Sequence, residues 1–245
     1  LSRDQEDVAA LFKALRFAGV SLFTLAEGEI SELHVGLKGT MNALFLKDLA
    51  AKTHRGLRGR VQEKRSAGGI CYGYSVVREH DAKGEPIRGK REIDTDEAKT
   101  VLRIFDEFCH GNSPRAIAKR LNSEGITGPN GNPWQDTTIR GHARRGTGIL
   151  RNELYVGRLV WNRQHFVRDP ETGKRVSRAN PPDQWVIEKV PELRIVSEDV
   201  WCKTKARLDE IATSPAALTA KESAFWTKKR PKHILTGLVH CASCG

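Results

Sequence analysis

Apolar positions along the chain alternate between a helical period and short continuous runs. Val8, Leu11, Phe12 and Leu15 recur at i, i+3, i+4 and i+7, the stripe of an amphipathic helix. Asp4 suits its N-cap and Gly19 its stop, so a helix is predicted over residues 4–18. "VSLFTL" follows as a short buried strand. Helix, glycine, then apolar strand suggests the tail of an α/β unit with a parallel sheet. It has too few strands to stand alone, and more of it is expected before Leu1. Residues 39–65 carry the longest helical pattern, with Met41, Phe45, Leu49, Leu57 and Val61 on one stripe and no proline.

Glycines in "SAGGICYGY" then predict a hinge and a domain boundary. "YGYSVV" and "IRGKREI" flank a polar turn and read as a hairpin. In "DTDEAKTVLRIFDEFCHG", residues Ala98, Val101, Leu102, Phe105 and Phe108 form a helical stripe, with acids in the first turn and Gly111 at the end. Ser113 caps a further helix that has Pro114 at its first position and Ile117, Ala118 and Leu121 facing inward. After "TGPNGNPW", the segment "QDTTIRGHARRGTGIL" begins a third helix. The pair looks like a helix-turn-helix with a lengthened turn; a plain three-helix knot with surface arginines is the other reading. Residues 155–190 read as strands around a long basic loop. Ser197 caps a last helix with Val200, Trp201, Thr204, Leu208 and Ile211 on one face. Residues 213–234 show no persistent period and read as a basic linker.

Charge changes this picture. Lys and Arg number 41 against 30 Asp and Glu, a formal charge of +11. Such a surplus favours a polyanion, nucleic acid before an acidic membrane surface. No run approaches the roughly 20 apolar residues of a membrane span. The candidate DNA contacts are Arg140, Arg144 and Arg145, then Arg55, Arg58 and Arg60 on the basic end of the long helix, then Lys228, Lys229 and Arg230. A solvated basic face is the alternative for the long helix. Trp134 and Trp161 read as core anchors rather than stacking platforms.

Five cysteines at irregular spacing argue against a secreted disulfide framework and for a reducing cytoplasm. Cys71, Cys109 and Cys202 stand singly and read as small core residues. Cys241 and Cys244, in "HCASCG", have the spacing of half a tetrahedral zinc site. A redox pair is the alternative, but no thioredoxin-like βαβ pattern surrounds it.

Several segments, in order, resemble the large serine recombinases of phages and mobile elements. "LSRD" is similar to the end of that family's "DRLSRD" segment. "SLFTL" and the long helix ending "DLAAKTHRGLRG" resemble the rest of a resolvase-type catalytic domain. "GGICYGY", "IDTDEAKTVLRIFDEFCHGNSPRAIAKRLNSEGI" and "ILRNELYVGRLVWNR" resemble the recombinase DNA-binding domain, and "LTGLVHCASCG" the start of its zinc ribbon. The implied architecture is the α/β C-terminal part of a catalytic domain with a long dimerisation helix (1–67). An α+β recombinase domain with helix-turn-helix-like helices and β-hairpins follows (68–212), then the linker (213–234) and a truncated zinc ribbon (235–245).

The resemblance implies site-specific strand exchange through a 5′-phosphoserine intermediate. It needs no cofactor for catalysis and a structural zinc on Cys241, Cys244 and a second pair downstream. The implied partners are double-stranded attachment sites, with the protein as a homodimer and a synaptic homotetramer. Arg3 would be the second catalytic arginine of "DRLSRD". The first arginine and the nucleophilic serine are expected before Leu1, so this stretch alone is expected to be inactive. "HRGLRG" departs from the Glu-Gly-Arg segment of small resolvases, which leaves the role of Arg55 open between active site and DNA. A non-catalytic DNA-binding regulator is the rival reading.

Overall fold

The computed structural model describes residues 5–26 and 28–223. They form two compact units. One holds the described residues up to Glu92 together with Gly157–Leu193, the other Ile93–Val156 and the described residues from Arg194 onward.

In the first unit, helix α1 spans Gln5–Phe17. Gly19 ends it at φ 72°, where the Gly19 and Val20 amides donate to the Arg16 and Leu15 carbonyls, a Schellman closure. The buried parallel strand expected next is not found. Strands β1 (Phe23–Thr24) and β2 (Gly28–Glu29) form a two-residue antiparallel ladder, and Phe23 and Leu25 face solvent. The chain reverses as soon as it has extended, so the apolar run is divided between a strand and a turn. Among the described residues every sheet is two-stranded.

Helix α2 spans Glu32–Gln62 and begins earlier than its predicted start at 39. Ser31 and His34 form a reciprocal capping box: the His34 amide donates to Ser31 Oγ and the Ser31 amide to His34 Nδ1. The i+4 row runs back through Leu37 to Leu33, which is the signal for the earlier start. Leu33, Leu37, Met41, Phe45 and Leu49 are all exposed, and of the whole helix only Val61 is buried. The end is another Schellman closure, with Lys64 in the left-handed region at φ 60°. That conformation costs a residue with a Cβ about 1 kcal/mol. Lys64→Gly is therefore expected to stabilise the chain by about 1 kcal/mol, seen as a higher urea midpoint at unchanged slope.

The glycine-rich stretch after α2 is tied down. The Ser66 amide donates to Gly89 O at 2.8 Å. The Arg91 guanidinium donates to Ser66 Oγ, to Gly69 O at 2.7 Å and to Cys71 Sγ at 3.5 Å. Strand β3 (Tyr74–Val76) pairs with β6 (Arg91–Ile93), and between them β4 (Glu79–His80) pairs antiparallel with β5 (Pro86–Ile87), as the hairpin reading required. The Tyr74 hydroxyl donates to Leu193 O at 2.8 Å, and burial raises its pKa far above the usual phenol range.

Four further strands complete the unit. β7 (Arg158–Trp161) pairs antiparallel with β10 (Val186–Lys189), and β8 (Gln164–Arg168) with β9 (Arg175–Ala179). Helix α2 packs on β7 and β10. There the His54 ring lies 4.7 Å from the half-buried Trp161 ring, with Nε2 3.4 Å from Asn162 Oδ1.

The second unit is helical. α3 (Thr95–Cys109) is capped by Asp94, which accepts from the Asp96 and Glu97 amides. α4 (Pro114–Ser123) is capped by Ser113, with Pro114 at the first position. α5 (Asp136–Arg140) is short, and single 3-10 turns follow at Ile149–Arg151 and Glu153–Val156. α6 (Glu198–Thr213) is capped by Ser197 and is followed by α7 (Pro215–Ser223). α7 lies where the sequence read as linker. Its start is fixed by Ser214 Oγ, which accepts from the Ala217 amide at 3.3 Å.

The core gathers Val101, Ile104, Phe105 and Phe108 of α3, Ile117 and Leu121 of α4, Ile139, Leu150, Tyr155 and Trp201, all buried. Leu102 and Ile211, assigned inward from the pattern, face outward, and Ile104 takes the inward place. Phe105 sits between Tyr155 and Trp201, each 6.1 Å away ring to ring. Cys109 is half-buried beside Thr204, and Cys202 is exposed rather than part of the core.

A charged lock joins α3 to the end of α4. Arg103 donates through Nε to Glu107 at 2.8 Å and through both terminal nitrogens to Glu124. Glu107 also meets Arg120 at 3.2 Å. Glu124, held first by its hydrogen bond from Arg103, titrates below the usual carboxylate range.

Candidate nucleic-acid interface

The expected third helix stops after five residues, for a reason local to two glycines. Gly141 has φ 67° and ψ −165°, a conformation open to glycine alone. From there the chain makes a closed loop: His142 bridges to Thr147, and the Gly146 amide donates to His142 O at 2.9 Å. Gly148, at φ 87°, returns against Gly141 so closely that a Cβ on Gly148 would lie 2.3 Å from the Gly141 Cα. Arg144 and Arg145 sit in this loop, just after the helix, and both are exposed.

The base of the loop is anchored. Asn122 of α4 accepts from the Trp134 amide at 2.8 Å and donates to the Trp134 carbonyl at 2.9 Å, and Trp134 is buried as a core anchor. Arg140, at the end of α5, is ion-paired to Asp136 at 2.8 Å, so part of its charge is already neutralised. Arg151, on the following 3-10 turn, has its pKa lowered, first by burial; Asp209 opposes that shift and Arg140 adds to it. Two exposed arginines in a glycine-pinned loop beside two partly engaged ones form a positive patch suited to phosphate oxygens.

The first unit carries its own basic surface. Arg55 and Arg58 are exposed on α2, while Arg60 is partly covered, with its stem packed against Gly89. The sequence reading nominated none of the arginines on the β8–β9 hairpin, although Arg168, Arg175 and Arg178 are exposed there. Their signal was the presence of basic residues on both sides of the turn "DPETGK". Arg3, Lys228, Lys229, Arg230, Cys241 and Cys244 lie outside the described residues. Among the described residues no three His, Cys, Asp or Glu side chains cluster as metal ligands.

Residues 95–211 match the family model described as Recombinase, just under half of the 245 residues. The matched segment runs from α3 to α6 and includes both the arginine loop and the β8–β9 hairpin. No curated protein matches the chain. The match supports a family of the serine-recombinase type, site-specific DNA recombination as the general activity, and DNA as the partner. Among the described residues no helix is long and apolar enough to cross a membrane.

Proposed function

We propose, with that match as premise, that the chain supplies DNA binding and subunit assembly to a serine recombinase acting on double-stranded attachment sites. The observation that carries this reading is the Recombinase match over residues 95–211, which include the exposed loop that presents Arg144 and Arg145. The α4–α5 pair serves as a shortened helix-turn-helix-like element, with the loop after α5 in place of a long recognition helix. The exposed row Leu33, Leu37, Met41, Phe45 and Leu49 on α2 supports its use as the contact between subunits of a dimer and a synaptic tetramer, since a row of this kind is otherwise left in water.

The chemistry proposed for the whole protein is transesterification. A serine hydroxyl, which the resemblance places before Leu1, attacks a DNA phosphorus. The serine oxygen–phosphorus bond forms, the bond to the 3′ oxygen breaks, and the proton passes to the departing 3′ hydroxyl. Reversal with a new 3′ hydroxyl rejoins the strands without an external energy source, because the phosphodiester is exchanged rather than hydrolysed. Arg3 is proposed to meet the non-bridging oxygens, where a guanidinium fork matches the developing charge. Cys241 and Cys244 are proposed as one half of a tetrahedral zinc site. The resemblance supplies the other half from a second pair, and this structural metal enters no step above.

The test is a covalent adduct. The protein extended upstream through its first strand is incubated with attachment-site duplex, then denatured. A protein–5′-DNA adduct that disappears when the candidate serine becomes alanine is the expected result. Site-specific binding without any adduct would favour the non-catalytic regulator instead.

A further inference from the structure

The β8–β9 hairpin has features that its own unit does not explain. Its register sets Arg168 directly opposite Arg175 and His165 opposite Arg178. Like charges directly across an antiparallel pair are destabilising. Residues 163–180 hold five Lys or Arg against Asp169 and Glu171. Asp169 is committed to the turn: it accepts from Thr172 Oγ1 at 2.6 Å and from the Glu171 amide at 3.0 Å. Neither Arg175 nor Arg178 is ion-paired to a described residue. Arg175 instead lies over the Phe166 ring, 4.7 Å from its centroid, a cation–π contact that holds the guanidinium in place.

Side chains alternate across a strand, so Phe166, Arg168 and Arg175 share one face while Val167, Val176 and Arg178 share the other. Both faces carry cations, and residues 165–168 and 171–175 are exposed. A hairpin meant to lie flat on a protein body would have one apolar face. Among the described residues no third strand pairs with either edge. The root, by contrast, is fixed. Asn180 is buried and donates to Asn162 O at 2.8 Å and Asn162 Oδ1 at 3.0 Å, while Trp185 Nε1 donates to Asn180 O at 3.1 Å. Asn162 holds φ 65° at the bend. The element is a rooted, two-stranded basic ribbon with exposed cations on both faces.

From this we infer that the β8–β9 ribbon is a second DNA-contacting element, entering the major groove of duplex DNA with Arg168, Arg175 and Arg178 directed at the two flanking phosphate backbones. The inference rests on the DNA-binding reading above and adds a surface to it. A two-stranded ribbon matches the width of the major groove, roughly 12 Å. Cations on both faces suit a groove walled by phosphates on both sides.

The experiment measures binding of the 245-residue chain to a mixed-sequence duplex of about 30 bp, by fluorescence anisotropy over a series of salt concentrations. Each lost phosphate contact should reduce the slope of log K against log salt by about 0.9. The triple variant R168A/R175A/R178A is expected to lower the slope by about two to three, and R144A/R145A by about two, each with an unchanged or higher melting temperature. A triple lysine variant should retain most of the slope, because lysine keeps the charge. If the wild-type chain binds and the triple alanine variant keeps its affinity and slope, the ribbon inference fails while the DNA-binding reading stands. If the wild-type chain shows no salt-dependent duplex binding, both fail. A ribbon-dependent preference for single-stranded RNA or an acidic peptide over the duplex would also overturn the inference.

Discussion

Gly141→Ala is expected to cost about 3 kcal/mol or more and to abolish the ordered arginine loop, through backbone strain and overlap together. Its φ of 67° and ψ of −165° already exclude side chains. A Cβ there would also lie 1.7 Å from the Thr147 carbonyl oxygen and 2.8 Å from the Gly148 Cα. No rotamer change relieves a clash with backbone, so the loop must open. Once it opens, the His142–Thr147 bridge is lost and Arg144 and Arg145 are no longer held together. Gly125→Ala is the control. Gly125 has a similar φ of 74°, but nothing lies within 4 Å of its added Cβ, so only the left-handed penalty of about 1 kcal/mol applies. Urea denaturation and duplex affinity report the two halves of the effect. Equal losses for the two variants would show that the loop tolerates a side chain at 141.

The second large effect is expected at Glu107. Its carboxylate has 11% of its side-chain surface exposed and lies between Arg103 at 2.8 Å and Arg120 at 3.2 Å. Glu107→Ala leaves Arg103 with Glu124 alone and removes the carboxylate that Arg120 pairs with. Breaking a largely buried pair from one side costs about 3 to 5 kcal/mol. The arginines are one-third to nearly one-half exposed, so water offsets part of this and about 2 to 3 kcal/mol is expected. Glu107→Gln, which keeps the shape and one acceptor, should lose less than the alanine variant. Loss below about 1 kcal/mol for alanine would mean that the lock adds little to α3–α4 packing. Glu124 adds a pH dependence of definite sign. Its folded pKa is depressed, chiefly by Arg103. Its contribution is complete above the unfolded carboxylate pKa, about 4.3, and is lost as pH falls through the lower folded value.

Three helix starts were legible at their caps, whereas the Ser31–His34 box that opens α2 lies ahead of the predicted start at 39. Asp94, Ser113 with Pro114, and Ser197 each stand one residue before the observed helix, because a side-chain acceptor followed by free amides is a local device that needs no partner elsewhere. Ser214 with Pro215 carries the same device, yet α7 was passed over because its apolar positions lack a persistent period. The third helix is shorter than its segment suggests because of the glycines at 141 and 148. Their use, two backbones crossing within touching distance, depends on residues that meet only in the folded loop.

The candidate site divides the same way. Arg144 and Arg145, expected from their place by the third helix, are exposed. The ribbon arginines were missed because their opposition depends on a register set by the 169–174 turn, which composition does not reveal. The parallel strand failed for a related reason: an apolar run of six residues shows neither where the chain turns nor what pairs with it.

The order in which the first unit's parts leave the ribosome has its own consequence. His54 of α2 meets Asn162, 108 positions later, and residues 93–156 between them belong to the other unit. At about 5 to 20 residues per second, α2 waits roughly 5 to 20 s for the strands that cover its C-terminal half. Throughout that interval the C-terminal half is uncovered as well as the apolar row, which stays exposed in the folded chain, while the second unit is only partly made. Ribosomes closely spaced on one message would carry several such helices at once, and pairing between neighbouring chains would then compete with the completion of each.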